Sequence, residues 1–202
     1  MVRGRHPELP VFVVGHSHGG LIVLRYALAS PEGLPGVVLN SPFLAIHPSA
    51  RPSATKAWAA RIFVHLVPGL LQPSTVDPTG VSRDPAVVEA YKNDPLVSRT
   101  LSLGWYRALL EAQADVMARA AQLRVPTLIM ASGADRLVDV EATRRFAARV
   151  PSELVEFVEW KGLYHESFNE PEKEQVFKRM ESWLETRRAR SGASVSRAHH
   201  AI

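Results

Sequence analysis

Residues 11–20 read VFVVGHSHGG. Four apolar residues run straight into Gly15-x-Ser17-x-Gly19, the pattern of a buried strand that turns abruptly into a helix with serine at the apex, a nucleophile elbow. Such a turn holds its serine in a strained backbone conformation. Glycines two residues away on either side are expected because side chains there would collide across the turn. A helix candidate follows at once over 21–29, stopped by Ser30-Pro31 with Gly33 beyond. This strand-turn-helix context separates an elbow from the alternative, a glycine-rich loop around an ordinary serine.

Outward from the elbow, 36–40 (GVVLN) reads as a second short buried strand. A strand, a helix and a strand joined by short links imply a right-handed crossover and a parallel sheet. The same alternation returns downstream. The segment 101–123 is a long helix candidate, with Leu109, Ala112, Val116 and Ala120 at three- or four-residue spacing. Residues 127–131 (TLIMA) form a continuous apolar strand, Asp139 caps a helix running to about residue 150, and 154–160 is another strand. A final helix over about 172–186 places Val176, Phe177, Met180, Trp183 and Leu184 on one face.

Between the second and third strands the alternation breaks. Residues 43–100 are rich in proline, with polar turns at 48–52, 73–80 and 93–95. An amphipathic piece over 57–71 carries Trp58, Ile62, Phe63, Leu66, Leu70 and Leu71. The segment is longer than a usual crossover and reads as a lid, an ordinary connecting helix being the alternative. The chain therefore divides into 1–42 (elbow strand, helix and next strand), 43–100 (lid insertion), 101–186 (remainder of the core) and 187–202 (tail).

Composition limits the possibilities. A chain of 202 residues with 46% hydrophobic content can bury one sizeable core. It has no cysteine, so disulfides and thiol chemistry are excluded. No apolar run approaches the roughly 18–20 residues that span a bilayer, and MVRGRHPELP is too polar for a signal peptide. A cytoplasmic protein is expected. The net charge of +4 comes entirely from Arg187, Arg188, Arg190 and Arg197 in the tail, which has no acid. That Ser/Ala/Gly-rich tail is expected to be disordered, and without interleaved aromatics it does not suggest nucleic-acid binding.

Serine alone is a feeble nucleophile and needs a base within hydrogen-bonding reach, itself oriented by a carboxylate. In open parallel sheets such groups emerge at the carboxyl ends of strands. Ser17 ends the first strand, Asp135 follows TLIMA in SGAD, and His165 follows LVEFVEW in GLYHE. Asp139 is the nearest rival to Asp135, but its place before a helix suits capping, and Asp115 sits inside a helix as a solvated residue. Of the other histidines, His199 and His200 fall in the tail, His6 in the polar N-terminus, and His47 and His65 in the insertion. His16 and His18 flank the serine, where their side chains are expected to point away from it. The backbone N–H of His18 should supply one oxyanion donor at the helix start. No metal and no cofactor is expected.

These residues resemble the monoacylglycerol lipase and lysophospholipase branch of the α/β-hydrolases, also described as serine-aminopeptidase-like. The motifs that carry the resemblance are GHSHGG at 15–20, NDPLV at 93–97, SGADRLVD at 132–139 and YHESFNE at 164–170. It covers most of residues 11–186. The resemblance implies a mostly parallel eight-stranded sheet, a helical lid over an acyl pocket, and hydrolysis through an acyl-enzyme. On that pattern Ser17 is the nucleophile, His165 the base and then the acid, and Asp135 the orienting carboxylate. The substrate would be a lipid-like ester, a monoacylglycerol or lysophospholipid; cleavage of an amide, thioester or carbon–carbon bond is the alternative on the same triad.

Family members carry roughly half of their sheet ahead of the elbow strand, whereas ten residues precede it here. The expected fold is therefore the C-terminal four strands of an α/β-hydrolase sheet with a lid insertion. Either the natural product begins upstream of Met1 or this is a truncated hydrolase. The 202-residue chain made alone is expected to be weakly active or inactive, or a non-catalytic remnant. Its open sheet edge invites self-association, and the insertion's apolar residues line a pocket or touch a membrane surface transiently.

Overall fold

A computed structural model describes residues 2–6, 9–53, 55 and 63–199, with side chains to residue 190. Its centre is a four-stranded parallel sheet of β1 (Val13–His16), β2 (Val37–Asn40), β5 (Thr127–Ser132) and β6 (Val155–Trp160), side by side in that order. The register aligns the strand ends: His16 lies beside Asn40, Asn40 beside Met130, and Ser132 beside Trp160. The strand expected over 11–14 lies two residues later and runs through Gly15 to the turn. Pairing with β2, rather than the end of the apolar run, sets its bounds.

Alternating side chains divide the core into two layers. On one face Val37, Leu39 and Ile129 pack against α1 (His18–Ala29), α3 (Leu103–Ala118) and α4 (Val140–Ala147), through Leu21, Leu24, Leu109, Val116 and Phe146 among others. On the other face Val38, Leu128 and Met130 meet Val176 and Trp183 of α5 (Lys173–His199). Helices on both faces are what a continuous apolar parallel strand requires. The Trp183 ring fits because Gly36 has no side chain: a Cβ there would lie 2.6 Å from the indole.

The insertion contains β3 (Leu71–Pro73), paired antiparallel with β4 (Thr100–Ser102), and α2 (Pro85–Asn93) between them. This ladder corrects two expectations. Leu71 belongs to a strand rather than to a helix over 57–71; residues 63–66 are helical, and 57–62 lie outside the described residues. The long helix begins at Leu103 rather than 101, because Leu101 and Ser102 pair with Gln72 and Leu71, and the Ser102 hydroxyl then caps it by accepting from Trp105 N at 3.1 Å. It ends at Ala118, and a separate helical turn covers Ala120–Gln122.

The final helix also departs from expectation. It continues past residue 186 to His199, through the basic segment expected to be disordered. Arginine and alanine at 187–190 are strong helix formers, and no proline interrupts them. Residues 200–202 of the tail lie outside the described residues. Among the described residues, no helix is long and apolar enough to cross a membrane.

Candidate active site

The turn after β1 is held by the end of β2 and by the helix that follows it. Ser17 adopts φ 51° and ψ −121°, a left-handed conformation that side-chain-bearing residues rarely take. Its N–H donates to Asn40 O at 3.0 Å, and its carbonyl accepts from Phe43 N at 2.9 Å and Gly20 N at 3.0 Å. The backbone is thus pinned to the end of β2 while the side chain projects from the rim. The two glycines of the motif are not equivalent. A Cβ on Gly15 would lie 2.6 Å from Gly19 O and 2.8 Å from Gly20 Cα, whereas a Cβ on Gly19 meets nothing within 4 Å. The expected collision is therefore one-sided: Gly15 makes room for the backbone of Gly19 and Gly20.

The three predicted side chains come together at the carboxyl edge of the sheet. Ser17 Oγ is 2.8 Å from His165 Nε2, and His165 Nδ1 is 2.7 Å from Asp135 Oδ2. A carboxylate only accepts, so the Nδ1–H donates to Asp135 and leaves the Nε2 lone pair facing the serine hydroxyl. The second carboxylate oxygen, Asp135 Oδ1, accepts from Leu137 N at 2.8 Å and Val138 N at 2.9 Å. Asp135 and His165 are both buried. Their loops are joined behind the site, where Gly133 N donates to Trp160 O at 2.9 Å and Ala134 N to Leu163 O at 3.0 Å.

The rivals are occupied elsewhere. Asp139 caps α4 through Glu141 N and pairs with Arg51 at 2.8 Å. Asp115 lies on an exposed helix face beside Arg119 at 3.4 Å. His47 bonds Ser49, and His65 approaches Arg107. His18 turns its ring edge toward Trp105, with centroids 5.3 Å apart, and burial lowers its pKa. Its backbone N–H sits at the start of α1, where the first N–H groups have no intrahelical partner and attract negative charge.

His16 corrects an expectation. Its ring does not point away from the site but packs on His165, with centroids 4.9 Å apart and planes tilted by 49°. Its Nδ1 is 3.1 Å from Asn40 Nδ2 and 3.2 Å from Asn40 O. Asn40 Oδ1 in turn accepts from Ser167 Oγ at 2.7 Å. Burial, followed by the neighbouring His165, pushes the His16 pKa down to about 4, against the Asn40 carbonyl and Asp135, which raise it. His16 is therefore a neutral wall beside the base. The strand pattern offered one clue to this: His16 and Asn40 both end strands at the rim that carries Ser17.

Among the described residues, no group of three or more His, Asp or Glu could hold a metal ion. A parallel sheet whose strand ends gather serine, carboxylate and histidine in this chain order, with the serine on a left-handed elbow, defines an α/β-hydrolase. The family model for serine aminopeptidase, S33, matches residues 1–172, and the chain belongs to that family.

It is 39% identical over 180 residues to a monoacylglycerol lipase of Mycolicibacterium smegmatis, covering 89% of this chain and 63% of that protein. It is 35% identical over 178 residues to the Bacillus subtilis phospholipase YtpA, covering 87% of this chain and 68% of that protein. The crystal structure of Paleococcus ferrophilus monoacylglycerol lipase superposes with a TM-score of 0.83 at 32% identity, over 92% of this chain and 72% of that one. The chain thus spans about two thirds of the length of these relatives.

Proposed function

We propose that this chain carries the reacting residues of a serine hydrolase that cleaves carboxylic esters of lipid-like substrates, a monoacylglycerol or a lysophospholipid. The observation that carries the reading is the continuous Ser17–His165–Asp135 hydrogen-bond series of 2.8 and 2.7 Å. The lipid ester comes from the relatives, which are a monoacylglycerol lipase and a phospholipase.

In this reading Ser17 Oγ attacks the ester carbonyl carbon while its proton passes to His165 Nε2. Asp135 stabilises the imidazolium that forms. The carbonyl oxygen becomes an oxyanion facing the His18 N–H, where the start of α1 adds favourable dipole charge. Collapse breaks the bond to the alcohol, which leaves with the proton from His165, and the acyl group stays on Ser17. Water then attacks the acyl-enzyme, giving its proton to His165, and the fatty acid departs as Ser17 Oγ recovers a proton.

A fluorophosphonate probe should label Ser17, and Ser17→Ala should abolish labelling. No labelling, or labelling that survives the substitution, rejects the reading. Among the described residues β1 pairs with β2 alone, leaving its other edge without a strand.

A further inference from the structure

Glu170 is a buried carboxylate that the chemistry above does not use. Its side chain is 0% exposed, and it follows the helical turn Ser167–Asn169 on the loop that carries His165. Oε1 accepts from Ser82 Oγ and from Arg83 N, both at 2.6 Å. Oε2 accepts from Arg83 Nε and, at 3.3 Å, from the N–H of Tyr164, the residue before the base. Around this centre Glu166 N donates to Val81 O at 2.8 Å, and Ser82 Oγ also reaches Asn169 O at 3.3 Å. Arg83 pairs onward with Glu172, and Asp84 caps α2.

One carboxylate therefore ties residues 81–83 of the insertion, the stretch leading into α2 that serves as the root of this cap over the site, to the base-bearing loop. Burial raises its pKa, and hydrogen bonds from Ser82, Arg83 and Tyr164 outweigh that, leaving it below the usual carboxylate range. A buried charge is costly unless its partners are all in place, and packing alone would be met by an apolar side chain. The partners here come from two segments far apart in sequence, so the charge is satisfied in one arrangement of those segments.

We propose that Glu170 is a positioning residue that seats the His165 loop on the cap root, so that displacing residues 81–83 disengages His165 from Ser17. The proposal rests on the reading of Ser17 and His165 as the reacting pair. The test uses the 202-residue chain and the low-field NMR signal of the His165 Nδ1 proton bonded to Asp135, assigned by its loss in His165→Gln. Thermal midpoint and the rate of labelling by a small fluorophosphonate are read in parallel.

Glu170→Gln should abolish or broaden that proton and slow labelling by roughly 10²-fold, the scale of misplaced reacting groups. Ser82→Ala, which removes one hydrogen bond, should do the same to a lesser degree and decides the matter if Glu170→Gln does not fold. Arg51→Met, which breaks the separate cap contact on Asp139, should leave the proton in place. An unchanged proton and labelling rate in both variants, with only the midpoint lowered, overturns the proposal, as does a wild-type chain lacking the proton. A wild-type chain that has the proton but resists the probe counts against the hydrolase reading, and the response of the proton then decides the positioning role.

Discussion

The parallel sheet and the two-stranded ladder of the cap both carry leucine and place it in opposite surroundings. Every residue of β2 and β5 is buried, with Leu39 and Ile129 at 0% exposure. Every residue of β3 is exposed, and Leu71 is 59% exposed. Helices cover both faces of the sheet, so the side chains of its two central strands are shielded from water on either side. The insertion that carries the ladder is tied to the body by backbone and polar contacts, such as Glu166 N to Val81 O and Arg51 to Asp139. A rigid platform thus presents Ser17, Asp135 and His165 at its rim, while the cap is a thin, separately anchored layer.

The contrast can be broken most directly in the platform. Ile129→Ala removes a fully buried side chain from the larger core layer and should cost about 2–5 kcal/mol in urea unfolding. Leu71→Thr, on the exposed ladder, should stay within about 0.5 kcal/mol. Equal losses at the two positions would remove the distinction.

The elbow sharpens the comparison at a single turn. Gly15→Ala drives a Cβ into the backbone of Gly19 and Gly20 and should slow fluorophosphonate labelling of Ser17 by about 10²-fold. Gly19→Ala enters open space and should leave labelling unchanged, with stability the same or up to about 1 kcal/mol higher from helix propensity.

Acid should expose the rim of the platform. The folded His16 pKa of about 4 lies below its ordinary 6.5. As pH falls through that window the unfolded chain takes a proton that the folded chain refuses, so stability present at neutral pH is lost. By pH 5 the loss from this group is about 2 kcal/mol. His16→Phe should flatten the dependence, measured as urea midpoints at about pH 7.5 and pH 5. A parallel fall in both proteins would exclude His16 as its source.

Much of the site was legible because each member announces itself locally. VFVVGHSHGG carries its own strand, turn and helix start, and Asp135 and His165 each sit just past an apolar strand. What escaped was lateral. The link between His16, Asn40 and Ser167 joins the ends of two strands to a loop 127 residues beyond Asn40, and apart from the strand-end places of His16 and Asn40 nothing in the nearby sequence marks it. The ladder between 71–73 and 100–102 was missed likewise, since its short strands have no core-facing alternation. The Gly19 misreading has the same root: the motif shows two glycines, but the direction of approach is a matter of coordinates.

The sequence by itself determined the alternation of strands and helices in the parallel platform, the serine at a tight turn, and the carboxylate and imidazole following later strands. Those follow from periodicity and backbone sterics, which act over a few residues. Only the tertiary structure decided that His16 walls the base and that a buried Glu170 ties the cap root to the His165 loop. Such relations depend on which distant segments the crossovers bring side by side, and on whether each polar group taken from water finds its partner there.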